Sequence, residues 1–104
     1  MSSFDERAKS FEKKFVHDEE LQFKVNAKRN KYLGEWAADK LGKVDSDRAA
    51  YAQEVIKSDF AEPGDEDVFR KIQGDFKKAS ISISDAEIRE QMSSLLERAK
   101  KEIL

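Results

Sequence analysis

The side chains most suggestive of metal chemistry are His17, Asp18 and Glu20, which stand close together near the N-terminus. A stable zinc site needs three or four ligands in a fixed geometry, usually with further imidazoles or thiolates. The chain has one histidine and no cysteine, so we predict no metal site and no disulfide. His17 is then a solvated junction residue or, because imidazole titrates near neutral pH, a pH switch.

Catalytic and cofactor-binding motifs are not evident elsewhere. The four glycines stand singly at positions 34, 42, 64 and 74, whereas a phosphate-binding loop needs several close together. A catalytic triad of serine, histidine and acid needs an enclosing pocket. A chain of 104 residues with 40% charged side chains builds only a thin core. We therefore predict a protein that is not an enzyme and binds no cofactor.

A narrow aromatic stripe marks the first sixteen residues. At about 100° per residue on a helix, its members fall within about 60° of one another. They are Phe4, Ala8, Phe11 and Phe15. Arg7 and Lys14 belong to the charged residues of the opposite face, and we count them with the stripe as candidate partner-binding residues. The stripe stops before Asp18, so it needs a covering surface from elsewhere in the chain or from another protein.

Two different surfaces could bury this stripe. Isolated helices of this length are marginal in water, so residues 1–16 are expected to be largely disordered until the stripe is covered. The segment either folds back as a fifth element of the core or orders in the groove of a partner, with its phenylalanines as anchors. The stripe is too short for a coiled coil, and its polar face mixes both charges, unlike a membrane-surface helix.

Charge is distributed unevenly along the chain. Residues 21–44 carry six basic and two acidic groups, whereas residues 45–67 carry two basic and eight acidic groups. Oppositely charged segments either lie side by side in the fold or face other molecules. In the second interpretation an acidic partner binds a secondary surface made of Lys24, Lys28, Arg29 and Lys31.

Beyond residue 20 the apolar side chains recur with helical spacing, and a single proline interrupts the chain. Residues suited to helix ends mark four helices: Gly42 after the first, Asp45 or Ser46 before the second, Asp65 before the third and Ser84 before the fourth. The alternating run 80–83 has no second strand to pair with, so we interpret it as a connector. We predict an all-α protein, with a small four-helix bundle over residues 20–104 preceded by a mobile, conditionally helical segment over residues 1–19.

Cellular location and general partners follow from composition. The longest uncharged stretches are far shorter than a membrane span, and the first residues lack the pattern of a signal peptide. The net charge of −2 gives no general attraction to nucleic acid. We expect a cytoplasmic protein that is monomeric when free, does not insert into membranes and does not bind nucleic acid.

Several runs of residues resemble the zeta subunit, the ATPase inhibitor of alphaproteobacterial F-type ATP synthases. The runs are Phe4-Asp5-Glu6-Arg7, Phe11-Glu12, Phe15, His17-Asp18, Arg29-Asn30-Lys31, Trp36-Ala37-Ala38, Lys40-Leu41-Gly42, Asp59-Phe60 and above all Glu62 to Lys71. The resemblance covers essentially the whole chain. Lys28, Tyr32 and Glu35 depart from the family pattern, which has Arg, Leu and Leu there.

The resemblance implies a function as well as a fold. In inhibitory members the N-terminal segment becomes helical at a catalytic alpha/beta interface of the synthase head, near the gamma rotor, and blocks ATP hydrolysis. The expected partners are therefore the alpha, beta and gamma subunits, with the protein peripheral to the inner membrane when bound. Two alternatives are a non-inhibitory helical adaptor that uses the basic bundle surface, and a regulator that binds nucleotide weakly.

Overall fold

The computed structural model describes residues 18–59 and 65–103, and four α-helices contain most of them. The helices are α1 (Glu19–Lys40), α2 (Asp45–Ser58), α3 (Glu66–Lys78) and α4 (Asp85–Ile103). The described ranges contain no strand, and residues 81–83 form a connector. The predicted all-α bundle of four helices is therefore confirmed. None of the described helices is long and apolar enough to cross a membrane.

Helix α1 has a side-chain cap at its start and ends at the predicted glycine. Asp18 is the N-cap, with extended backbone angles, and its carboxylate accepts a hydrogen bond from the Leu21 amide at 3.0 Å. At the other end Gly42 adopts a positive φ of 77°, a conformation that costs glycine no strain. The amides of Gly42 and Lys43 donate to the carbonyls of Asp39 and Ala38, which is the Schellman pattern.

Helix α2 starts differently from the sequence prediction. Val44, in an extended conformation, is the N-cap and has no side-chain cap bond, whereas Asp45 lies inside the helix with a φ of 52°. The Val44 carbonyl already accepts from the amides of Asp47 and Arg48. The prediction of an Asp45 or Ser46 cap is therefore wrong, because the first helical hydrogen bonds form one residue earlier.

Both ends of α3 and the start of α4 show a mixture of expected and unexpected caps. Asp65 is the N-cap of α3, as predicted, but its carboxylate makes no cap bond. Ser80 follows α3 with a φ of 58° and closes the helix with Schellman bonds in place of a glycine. The Ser84 hydroxyl accepts from the Glu87 amide at 3.1 Å, so the hydroxyl half of the predicted capping box at the start of α4 is confirmed.

The core lies between the four helices, and α1 contributes most to it by packing against both α2 and α4. Gly34 allows the close approach of α1 and α2, since a Cβ there would lie 2.6 Å from the Cα of Ala52. Trp36 packs at the edge of the core, with its ring 5.7 Å from that of Phe76 in a T-shaped arrangement. The buried apolar residues are Val25, Leu33, Ala37, Ala38, Tyr51, Ala52, Val55, Val68, Phe69, Ile72, Phe76, Ile88, Met92 and Ala99.

Candidate functional site

The predicted partner-binding segment lies outside the described residues. This applies to its six candidate residues, Phe4, Arg7, Ala8, Phe11, Lys14 and Phe15, and also to His17. The structure does describe the point where this segment meets the bundle. Asp18 has φ −110° and ψ 102°, values that are extended and outside the helical region. Helix α1 therefore starts within the His17–Glu20 junction, where the two apolar faces of the sequence change direction.

The secondary basic surface is largely neutralised by the protein itself. Lys24 pairs with Glu20 one turn earlier at 3.4 Å, and both side chains are exposed. Lys28 reaches across to α4 and pairs with Glu102 at 3.0 Å. Lys31 is exposed. Since exposed pairs are weak, Lys24 and Lys31 are the members of this surface that a partner could reach most easily.

Arg29 differs most from its expected position, because it is buried and only 1% exposed. Its Nη2 donates to Asp65 at 2.8 Å and its Nε donates to the Oδ1 of Asn30 at 2.6 Å. The guanidinium thus ties α1 to the start of α3, which explains why the Asp65 carboxylate does not cap its own helix. A signal for this burial is present in the sequence, since Val25, Arg29 and Leu33 are spaced four residues apart on one helical face.

Glu102 is the centre of a polar cluster between α1 and α4. Its carboxylate accepts from the Tyr32 hydroxyl, from Lys28 at 3.0 Å and from Arg98 at 3.0 Å. These hydrogen bonds, led by that of Tyr32, lower the pKa of Glu102 to about 2. The same hydrogen bonds raise the pKa of Lys28 and of Tyr32. Arg98 also stacks over the Tyr32 ring, 4.0 Å from its centre.

The three positions that depart from the family pattern all make polar contacts between helices. Lys28 and Tyr32 join α1 to Glu102 of α4. Glu35 accepts from Arg48 of α2 at 3.2 Å, and Arg48 also pairs with Asp39 at 2.8 Å. Tyr32 and Glu35 therefore make polar contacts with neighbouring helices at positions where the family pattern has leucine, whereas Lys28 keeps a basic group where the pattern has arginine.

An open cavity of about 410 Å³ lies beside Tyr51, near the end of α3. The Tyr51 hydroxyl donates to Asp75 at 2.8 Å, and Lys71 pairs with the same carboxylate at 3.1 Å. Burial, followed by the bond to Asp75, raises the pKa of Tyr51. Three lysines and two acids line this cavity, namely Lys43, Lys71, Lys78, Glu54 and Asp75. The lining is of mixed charge and carries no phosphate-binding loop.

Comparisons with known proteins agree with the resemblance in the sequence. A family model described as ATPase inhibitor subunit zeta matches residues 1–102. A structure solved by solution NMR is 43% identical, covers 80% of this chain and 94% of its own, and superimposes with a TM-score of 0.71. No curated protein matches the chain. Because the family match spans nearly the whole sequence, the chain belongs to the family of the ATPase inhibitor subunit zeta.

Proposed function

We propose that this protein inhibits ATP hydrolysis by the F-type ATP synthase head through its N-terminal segment, residues 1–19. The segment lodges as a helix at a catalytic alpha/beta interface near the gamma rotor and acts as a wedge against rotation. Phe4, Ala8, Phe11 and Phe15 form its buried face. Family membership supports the inhibitory role. The alpha/beta interface as the place of insertion is what the sequence resemblance implies.

The observation that carries the proposal is the start of α1 at Asp18. A carboxylate cap with extended backbone angles begins α1 at the junction, and by helical spacing in the sequence the aromatic stripe lies on a different face from the apolar residues of α1. The described core is built from residues of α1 to α4. An aromatic stripe that does not share the apolar face of the bundle helices can anchor in a groove of another protein.

The bundle surface is less suited to be the principal contact. Of the four basic residues that the adaptor alternative would use, Arg29 is buried and Lys28 is engaged by Glu102. Only Lys24 and Lys31 remain for a partner, and two exposed lysines contribute more to the rate of association than to affinity. We therefore assign them a secondary role in attracting an acidic surface.

The test compares ATP hydrolysis by the cognate synthase head in the presence of the full chain and of residues 18–104. The shorter chain retains Asp18, so the cap of α1 and the bundle are expected to persist, and circular dichroism checks this. We expect inhibition by the full chain and none by the shorter chain at the same concentration. Equal inhibition by both would place the activity in the bundle, and inhibition by neither would favour the adaptor.

A further inference from the structure

Two cations of α4 lie on the same surface as the basic residues of α1. Arg98 and Lys28 share the carboxylate of Glu102, each at 3.0 Å, so the ends of their side chains are close together. Lys101 is exposed and borders an open depression with Arg98 and Glu102. These residues are distant from Lys28 in the sequence, and the contact between α1 and α4 places them beside it.

The α1 part of this surface follows helical spacing. Lys24 and Lys31 lie four residues before and three residues after Lys28, a spacing that puts side chains on one side of a helix. We call the cations of the two helices the basic face. Its members are Lys24, Lys28, Lys31, Arg98 and Lys101.

The basic face keeps a net positive charge after its ion pairs are counted. Two of its cations share the one carboxylate of Glu102, which leaves one positive charge there. Lys31 and Lys101 are exposed, and neither forms an ion pair with a described residue. Lys24 is balanced by Glu20. The face therefore carries three net positive charges in a chain whose total charge is −2.

This charge is separated from the acidic parts of the chain. Glu97, beside the face, is paired with Lys100 at 3.5 Å. Helices α2 and α3 begin with acidic turns, which contain Asp45 and Asp47 in α2 and Glu66 and Asp67 in α3. A molecule with such a charge distribution is oriented by the field of a charged partner. An acidic surface attracts the basic face and repels the starts of α2 and α3.

The basic face begins close to the point where the N-terminal segment joins the bundle. Helix α1 starts after Asp18. At about 1.5 Å per residue, Lys24 lies about 9 Å and Lys31 about 20 Å further along the helix. When the segment is held in a groove, the bundle is tethered beside that groove. A weak second contact is then favoured by a high effective concentration.

The chemistry of the face fits a protein surface better than a membrane. Helices that bind membrane surfaces insert an apolar side into the lipid, whereas the apolar sides of α1 and α4 are buried in the core. We propose that the basic face docks on an acidic surface of the synthase head, rich in aspartate and glutamate, beside the groove that receives residues 1–19. This docking rests on the proposed function, and it adds Arg98 and Lys101 of α4 to the partner contacts.

The test measures how fast inhibition of ATP hydrolysis by the cognate synthase head develops, at low and at high salt. The double variant Lys31→Glu/Lys101→Glu replaces the two unpaired cations of the face by acids. The matched control Lys57→Glu/Lys77→Glu changes the net charge equally, at exposed positions of α2 and α3. Circular dichroism checks that both variants keep the helical content of the unchanged chain.

We expect Lys31→Glu/Lys101→Glu to slow the onset of inhibition about tenfold at low ionic strength, because peripheral charges act mainly on association. At about 0.5 M salt, where the Debye length is about 4 Å, the difference should fall to about twofold. The control variant should stay within about threefold at either salt concentration. Lys31→Arg/Lys101→Arg keeps both charges and should match the unchanged chain.

The possible outcomes separate this docking from the inhibition itself. Equal slowing by the face variant and the control variant would overturn the docking and leave the inhibition in place. Failure of the unchanged chain to inhibit would overturn the proposed function and the docking with it. Sedimentation with anionic phospholipid vesicles is the second arm, and we expect no binding. Binding that Lys31→Glu/Lys101→Glu abolishes would assign the face to a membrane and overturn the docking on protein.

Discussion

Gly34 allows a sharp test of how closely α1 and α2 pack. An alanine Cβ at this position would lie 2.6 Å from the Cα of Ala52 and 3.2 Å from its Cβ. Ordinary contacts between carbon atoms are about 3.5–4.0 Å, so the two helices would have to separate by about 1 Å. The nearest atom belongs to the backbone, which no change of side-chain rotamer can move away.

The expected magnitude follows from two opposing effects. Replacing a helical glycine by alanine gains about 1 kcal/mol in helix propensity, whereas overpacking a well-packed core costs about 1–3 kcal/mol. Because the clash at Gly34 is with backbone, we expect the larger cost and a net loss of about 2 kcal/mol for Gly34→Ala. Gly74 is the matched control, since a Cβ there would have no neighbour within 4 Å, and Gly74→Ala should gain up to about 1 kcal/mol.

Urea denaturation of the full chain measures both variants. The two midpoints should move in opposite directions, with that of Gly34→Ala lower by about 1 M, for a denaturant slope of about 1–3 kcal/mol per M. Stabilisation by both substitutions would refute the close approach of α1 and α2. Complete rescue of Gly34→Ala by a second change, Ala52→Gly, would also contradict the reasoning, because the closest atom is the Cα of residue 52.

Three further predictions concern the caps and the charged residues. Ser80→Gly should raise the free energy of unfolding, measured by thermal denaturation, by up to about 1 kcal/mol. A non-glycine residue at positive φ costs about 1–2 kcal/mol, and the greater flexibility of glycine in the unfolded chain offsets part of this gain. A lower free energy of unfolding would argue against the Schellman end of α3. Burial raises the pKa of Asp59, so its ionised form opposes folding above the unfolded pKa of about 3.9. Asp59→Asn should therefore stabilise the protein at pH 7, with a gain that disappears in acid; a gain independent of pH would contradict this. In a carboxyl NMR titration Glu102 should ionise with a pKa of about 2. Tyr32→Phe should raise this pKa toward the ordinary glutamate value of about 4.3. An unchanged pKa would exclude the Tyr32 hydrogen bond as the main cause of the lowered pKa.

The features that sequence predicted well are local ones. Gly42 and Ser84 act as helix-end residues because their own backbone or side chain meets amides and carbonyls within one turn. Such features depend on neighbours a few residues away, which a single sequence shows directly.

The features that sequence missed depend on distant partners. Arginine is usually found at the surface of a protein. The burial of Arg29 requires Asp65, 36 positions later in the chain, to lie beside it. The sequence predicts Asp65 as an N-cap, but its carboxylate pairs with Arg29. The sequence does not predict the N-cap of α2, because Val44 has no side-chain acceptor and the capping preferences favour Asp45. Charge complementarity between residues 21–44 and 45–67 indicated pairing in general without indicating which residues pair.

In the proposed mechanism the aromatic stripe of residues 1–16 anchors the inhibitor in the synthase head. The most direct measurement is the concentration of this protein that half-inhibits ATP hydrolysis, for the unchanged chain, Phe11→Ala and the control Lys13→Ala. A truncated anchor typically costs about 2 kcal/mol, whereas exposed rim charges cost little. We predict that Phe11→Ala raises the half-inhibitory concentration about thirtyfold and that Lys13→Ala stays within about threefold. Equal effects of the two substitutions, or none from Phe11→Ala, would contradict this mechanism.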